Sequence, residues 1–159
     1  MSQEKKDALN YHCLVFCVDG QEFAIDILKV QEIREYQPVN VTRVAHMPPY
    51  IQGLINLRGQ IIPIIDLRIK LRVSEVAYTS QTVVIILGLS DRIVGIVVDS
   101  VSNVELIAKN TIEPPPNVNN PAAYLIGLTT YKDQLLQIVD VEKLIDHEHW
   151  TLSDISQEA

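Results

Sequence analysis

Four aspartates stand at matching places in the chain. Asp26, Asp66, Asp99 and Asp140 each interrupt a run of aliphatic residues. Carboxylates repeated in this way could hold a divalent cation or share acid and base roles in a small metal-dependent hydrolase. The same placement also has a structural explanation, because an aspartate ending a strand accepts backbone N–H bonds and caps the turn that follows. Ile27, Val30 and Ile33 recur at helical spacing after Asp26, as do Val141, Leu144 and Ile145 after Asp140. That spacing favours capping over catalysis and predicts helical segments at both places.

Other reactive residues are sparse. The triplet H-E-H at 147–149, beside Asp146, could chelate a metal, but it follows the last periodic segment, where ligands lack rigid support. His12 and His46 are isolated, with no serine or cysteine in a recognisable relation to either. Cys13 and Cys17 read as one strand, which sets them about 13 Å apart and out of disulfide reach; core cysteines in a reducing compartment are expected. No Gly-rich phosphate loop, nucleophile elbow or zinc spacing occurs, and the six tyrosines form no series for stacking bases. The expectation is a protein that is not an enzyme and uses no cofactor or metal.

One arginine stands out. Arg58 lies inside G-L-I-N-L-R-G-Q-I-I-P-I-I-D-L-R (53–68), an otherwise aliphatic stretch. A buried unpaired charge is rare. Reading R-G as a hairpin turn, with Gly59 permitting positive φ, brings the guanidinium to the surface. There it is a solvated arginine, one half of an internal salt bridge, or a contact for a partner.

The elements around these residues are strands. Of the 159 residues 47% are hydrophobic and 21% charged, a globular composition for a single domain, and the aliphatics are largely valine and isoleucine. A net charge of −7 disfavours nucleic acid as a partner. No apolar run approaches a membrane span, and the N-terminus lacks a secretory h-region, so a cytoplasmic protein is expected. Strand, short turn and strand recur four times, at C-L-V-F-C-V/D-G, G-L-I-N-L/R-G, T-V-V-I-I-L/G-L-S-D and A-Y-L-I-G-L/T-T-Y-K-D, which points to an internal duplication. Residues 101–112 read as partly helical or irregular, E-P-P-P-N-V-N-N-P (113–121) as a stiff loop, and Pro63 as an edge or bulge residue. Residues 1–10 are expected to be a flexible tail and 148–159 an acidic one, flanking a domain over 11–147.

From Tyr11 to about Ile145 the chain resembles the CheW family of chemotaxis coupling proteins. The pieces that carry the resemblance are I-D-I-L-K-V-Q-E-I-R (25–34), residues 53–68, V-G-I-V-V-D-S-V (94–101) and Y-L-I-G-L (124–128), all in order. The resemblance implies two small five-stranded SH3-like β-barrels sharing a core, with short helices and a C-terminal helix. It implies a non-enzymatic adaptor that couples the cytoplasmic tips of membrane chemoreceptors to the CheA histidine kinase and is recruited to inner-membrane receptor arrays. Like-folded adaptors of twitching or surface-sensing systems are the alternative within the family. By the family pattern the groove between the barrels receives the receptor, and the matching positions are Val30, Glu32, Gly53, Asn56, Leu57, Arg58 and Gly59. Kinase contacts are implied at Glu113, Asn117 and Val118, although the family commonly carries a basic residue in place of Glu113. The stretch Q-P-V-N (37–40) is longer than usual. Weak self-association through barrel edges is a further expectation.

Overall fold

Two-residue turns with both residues at positive φ match the twist of antiparallel strands, and three of the hairpins are built on them. The computed structural model describes residues 9–73, 76–116 and 123–146. In it Asp19 and Gly20 (φ 54° and 73°) join β1 (Asn10–Val18) to β2 (Gln21–Asp26). Arg58 and Gly59 (52° and 84°) join β4 (Ile51–Leu57) to β5 (Gln60–Asp66), and Lys132 and Asp133 (49° and 62°) join β9 (Leu125–Tyr131) to β10 (Gln134–Val139). The fourth hairpin, β6 (Val83–Gly88) and β7 (Ile93–Val98), closes through Leu89 N donating to Arg92 O at 2.8 Å. The remaining strands are β3 (Val30–Glu35) and β8 (Ser100–Ala108).

The described chain divides into two compact units, residues 9–29 with 101–146, and residues 30–100. Each holds one five-stranded SH3-like barrel. Strand order is β8-β1-β2-β10-β9 in the first and β3-β6-β7-β5-β4 in the second. Both follow one plan: a lone strand, then two hairpins joined by a parallel pair, β2 with β10 or β5 with β7. The duplication also shows in the sequence as Y-x-x-G-L, at Tyr50–Leu54 and Tyr124–Leu128. In both copies the leucine bridges a loop residue (Thr42 or Glu113), and the tyrosine carbonyl accepts from the N–H of the strand-end aspartate (Asp66 at 2.7 Å, Asp140 at 2.8 Å).

Each barrel buries its own aliphatic cluster. Ile62, Ile64, Val84, Ile86 and Val97 meet Leu57 and Tyr36 in the second unit; Cys13, Val15, Ala24, Leu136 and Ile138 meet Ile107 in the first. Cys13 and Cys17 both lie on β1 and are not joined in a disulfide. Burial, with the charge of Asp26 adding to it, pushes the Cys13 thiol up to about 11. Since the thiolate is the nucleophile, alkylation of Cys13 by iodoacetamide near pH 8 is expected to be at least about tenfold slower in the folded protein than in urea. Peptide mapping of the labelled cysteine checks this, and equal rates would contradict the burial.

Several expectations change. Three aspartates do cap: Asp26 Oδ1 accepts from Leu28 N (2.9 Å), Asp66 Oδ1 from Arg68 N (3.0 Å), and Asp140 Oδ1 from Glu142 N (3.0 Å). Asp99 does not, because β8 follows it directly, and its Oδ1 instead accepts from Arg68 Nη1 at 3.2 Å. The helical spacing after Asp26 yields a single 3-10 turn, Ile27–Lys29, before β3 begins; β-branched Val30 and Ile33 fit a strand paired with β6. After Asp140 the expected helix forms as Val141–Asp146 and buries Val141, Leu144 and Ile145. Of the stretch 101–112, expected to be partly helical or irregular, residues through 108 are strand and only Lys109–Thr111 forms a 3-10 turn, and Asn10 already belongs to β1. Pro63 lies in interior strand β5, one residue before the ladder to β7 starts at Ile64. The tail over 148–159 and the H-E-H triplet lie outside the described residues, as do residues 1–8. No helix among the described residues is long and apolar enough to cross a membrane.

Candidate functional site

The second unit carries all seven positions that the family resemblance matches to a receptor surface. Glu32 projects from β3, and Arg58 occupies the first turn position after β4. Arg58 Nη2 donates to Glu32 Oε2 at 2.7 Å, and Glu32 Oε1 lies 3.5 Å from Arg34 Nε. β3 and β4 are the two ends of the strand order, so this ion pair ties the opposite margins of one sheet together. The Arg58 side chain is 76% exposed and that of Glu32 25%. In water such a pair contributes at most about 1 kcal/mol to stability. What it fixes is direction, aiming an open guanidinium from a rigid turn.

Asn56 Oδ1 accepts from Gly59 N at 2.9 Å and holds that turn. Its exposed side chain also borders a polar groove of about 470 Å³, with Arg34, Glu35, Gln37, Asn40 and Ile55 along it. The 37–40 stretch is a 3-10 turn over Pro38–Asn40, closed by Asn40 Nδ2 donating to Gln37 Oε1 at 2.9 Å. Val30 is half-buried at the start of β3. Leu57 and Gly53 face inward: Leu57 joins the core cluster, and Gly53 lies against the Thr42 carbonyl. These two shape the strand that carries the others. Glu113 is exposed on the first unit, bridged to Leu128, while Asn117 and Val118 lie outside the described residues.

The sequence drew attention to Arg58, yet the buried arginine is Arg68. It is 1% exposed, beside an Asp66 that is fully buried. Nε donates to Asp66 Oδ1 (2.9 Å) and Nη2 to Oδ2 (2.8 Å), a two-pronged pair. Nη1 donates to Ala77 O (2.6 Å) and to Asp99 Oδ1. The Tyr78 ring covers the guanidinium at 4.9 Å and packs 5.4 Å from Tyr36. Burial alone would lower the Arg68 pKa, but the Asp66 and Asp99 carboxylates outweigh it and raise it. Burial, aided by Tyr78 and Asp66, pushes the Tyr36 hydroxyl up to about 12. The one signal for this network was an arginine two residues after a strand-end aspartate. Among the described residues no cluster of three or more His, Cys, Asp or Glu side chains is placed to hold a metal ion.

Comparison with known proteins gives a consistent picture. Residues 12–149 match the family model described as CheW-like domain. The chemotaxis protein CheW of Klebsiella aerogenes is 47% identical over 143 residues, 89% of this chain and 85% of that protein. CheW of Bacillus subtilis is 35% identical over 137 residues, 85% of this chain and 86% of that protein. The crystal structure of the scaffolding protein TtCheW from Thermoanaerobacter tengcongensis superposes with a TM-score of 0.77 at 30% identity, covering 87% of this chain and 94% of that one. With that match in sequence and in both barrels, the chain belongs to the CheW family of chemotaxis proteins.

Proposed function

We propose that the protein is a non-enzymatic cytoplasmic adaptor that couples the cytoplasmic tips of membrane chemoreceptors to the regulatory domain of a CheA histidine kinase, within arrays at the inner membrane. The observation that carries the receptor half is the aimed guanidinium of Arg58, open to solvent yet held by Glu32. A planar fork on a rigid turn suits directional bonds to carboxylate or amide groups on a helical tip. Asn56 and Gly59 share that rim, and Val30 adds apolar contact. Glu113, with Asn117 and Val118, is assigned to the kinase side. Weak self-association through barrel edges fits a role in array rings.

Arg58→Glu places a carboxylate opposite Glu32. It should leave the melting temperature nearly unchanged, since the pair is exposed, but weaken capture of a receptor signalling tip by about tenfold or more. The exchange Glu32→Arg with Arg58→Glu restores the ion pair without the original polarity. It separates a structural bond, which the exchange would rescue, from a receptor contact, which it would not. Normal receptor binding by Arg58→Glu would sink the receptor assignment. Binding to neither the receptor tip nor the kinase regulatory domain, tested separately with the unaltered chain, would overturn the adaptor reading.

A further inference from the structure

Because the two barrels share one plan, the seam between the end strands of each can be compared position by position. The bridges from Thr42 to Leu54 and from Glu113 to Leu128 set the register, and a 3-10 turn precedes each at the same distance, Pro38–Asn40 and Lys109–Thr111. Asn40 therefore corresponds to Thr111, Arg34 to Glu105, Ile55 to Thr129 and Leu57 to Tyr131. In the first barrel these residues seal the seam. Thr129 Oγ1 donates to Thr111 Oγ1 at 3.2 Å, and the Tyr131 hydroxyl donates to Glu105 Oε1 at 2.7 Å. In the second barrel isoleucine and leucine stand in place of that threonine and tyrosine, so neither bond can form. Asn40 turns back on Gln37 instead, and the Arg34 side chain stays 48% exposed with its Nε 3.5 Å from Glu32 Oε1. What the first barrel seals, the second leaves open as the polar groove of about 470 Å³ beside Asn56.

We propose that this groove receives a side-chain amide, of glutamine or asparagine, from the same helical receptor tip that Arg58 engages. The assignment rests on the receptor reading of the Arg58 rim and extends it. Two residues make the surfaces continuous: Asn56 holds the Arg58 turn and also borders the groove, and Arg34 shares Glu32 with Arg58. The lining selects the chemistry. Arg34 and Glu35 place one charge of each sign at the groove, so a carboxylate would meet Glu35 and a cation would meet Arg34. An amide meets neither penalty, because its carbonyl accepts from the guanidinium while its NH2 donates to the carboxylate. Gln37, Asn40 and Asn56 add neutral groups of the same kind: Gln37 Oε1, Asn40 Nδ2 and Asn56 Oδ1 are engaged within the protein, and the other polar atom of each is left for a ligand.

The test is a calorimetric titration of the full chain with a soluble receptor signalling-tip fragment. Arg34→Ala, Glu35→Ala and Asn40→Ala remove exposed side chains, so all three should fold, and each should weaken binding by about fivefold. The signs are decisive. A carboxylate ligand would bind the Glu35→Ala protein more tightly, and a cationic ligand the Arg34→Ala protein. Either gain, or unchanged affinity in Glu35→Ala or Asn40→Ala, overturns the proposal and leaves standing the receptor reading, which Arg58→Glu probes. Failure of the unaltered chain to bind the tip overturns both. In ¹⁵N spectra of the labelled chain the side-chain NH2 signals of Gln37 and Asn40 should shift on adding the tip fragment. Shifts of these signals with the kinase regulatory domain instead would give the groove to the kinase and overturn the receptor occupant.

Discussion

Arg68→Met is expected to destabilise the protein by about 3–5 kcal/mol, the cost of leaving one member of a buried ion pair uncompensated. Methionine fills much of the volume, so the loss is mainly electrostatic. Asp66 keeps its place because its Oδ1 still caps the following turn, but both oxygens lose the guanidinium that neutralised them. Ala77 O loses its donor, and Tyr78 loses the cation beneath its ring. In a domain of this size such a change lowers the melting temperature by roughly 10 °C. Urea unfolding measures it directly. Adding Asp66→Asn to Arg68→Met should recover part of the loss, since no charge then remains buried, whereas Arg68→Lys keeps the charge and loses the two-pronged geometry. A destabilisation below about 1 kcal/mol for Arg68→Met would mean that water reaches the pair.

The contrast between the two arginines shows what the sequence could and could not convey. Arg58 is legible because R-G between two strand patterns is a local signal, and turn geometry depends on adjacent residues alone. Arg68 sits in an equally aliphatic stretch, but its partners Ala77, Tyr78 and Asp99 are brought in by a loop and by the end of β7, through long-range folding. The misreading after Asp26 has the same origin. Ile27, Val30 and Ile33 fit a helix by spacing, yet the strand they form is decided by pairing with β6, a contact across some fifty residues. The strand over 100–108 was hidden for a related reason: β8 keeps Val104 and Leu106 exposed, so its apolar residues do not alternate with the polar ones as a half-buried strand's do. Hairpins and three of the four expected caps are local and legible in the sequence, whereas the role of Asp99 depends on Arg68 from another strand end; which hairpin joins which is a property of the duplication.

That duplication also explains Gly53, for which Gly53→Ala is expected to cost about 2–4 kcal/mol. Its φ of 145° is one that side-chain-bearing residues rarely adopt, and a Cβ there would collide with the Thr42 carbonyl oxygen. The collision cannot be relieved cheaply, because Thr42 and Leu54 exchange two backbone hydrogen bonds at 2.8 Å that fix the approach. Gly59 is the useful comparison. Its φ of 84° is also positive, but a Cβ would meet nothing within 4 Å, so Gly59→Ala pays backbone strain alone, about 1 kcal/mol. Gly59→Asn, a residue suited to this turn, should be milder still. Thermal unfolding of the three variants side by side should rank them Gly53→Ala, Gly59→Ala, Gly59→Asn from most to least damaging. Receptor capture then separates structure from contact: Gly53→Ala should lose binding only in proportion to the unfolded fraction, because its role is to seat β4 against Thr42. A folded Gly53→Ala protein that fails to bind would place the glycine itself against the receptor.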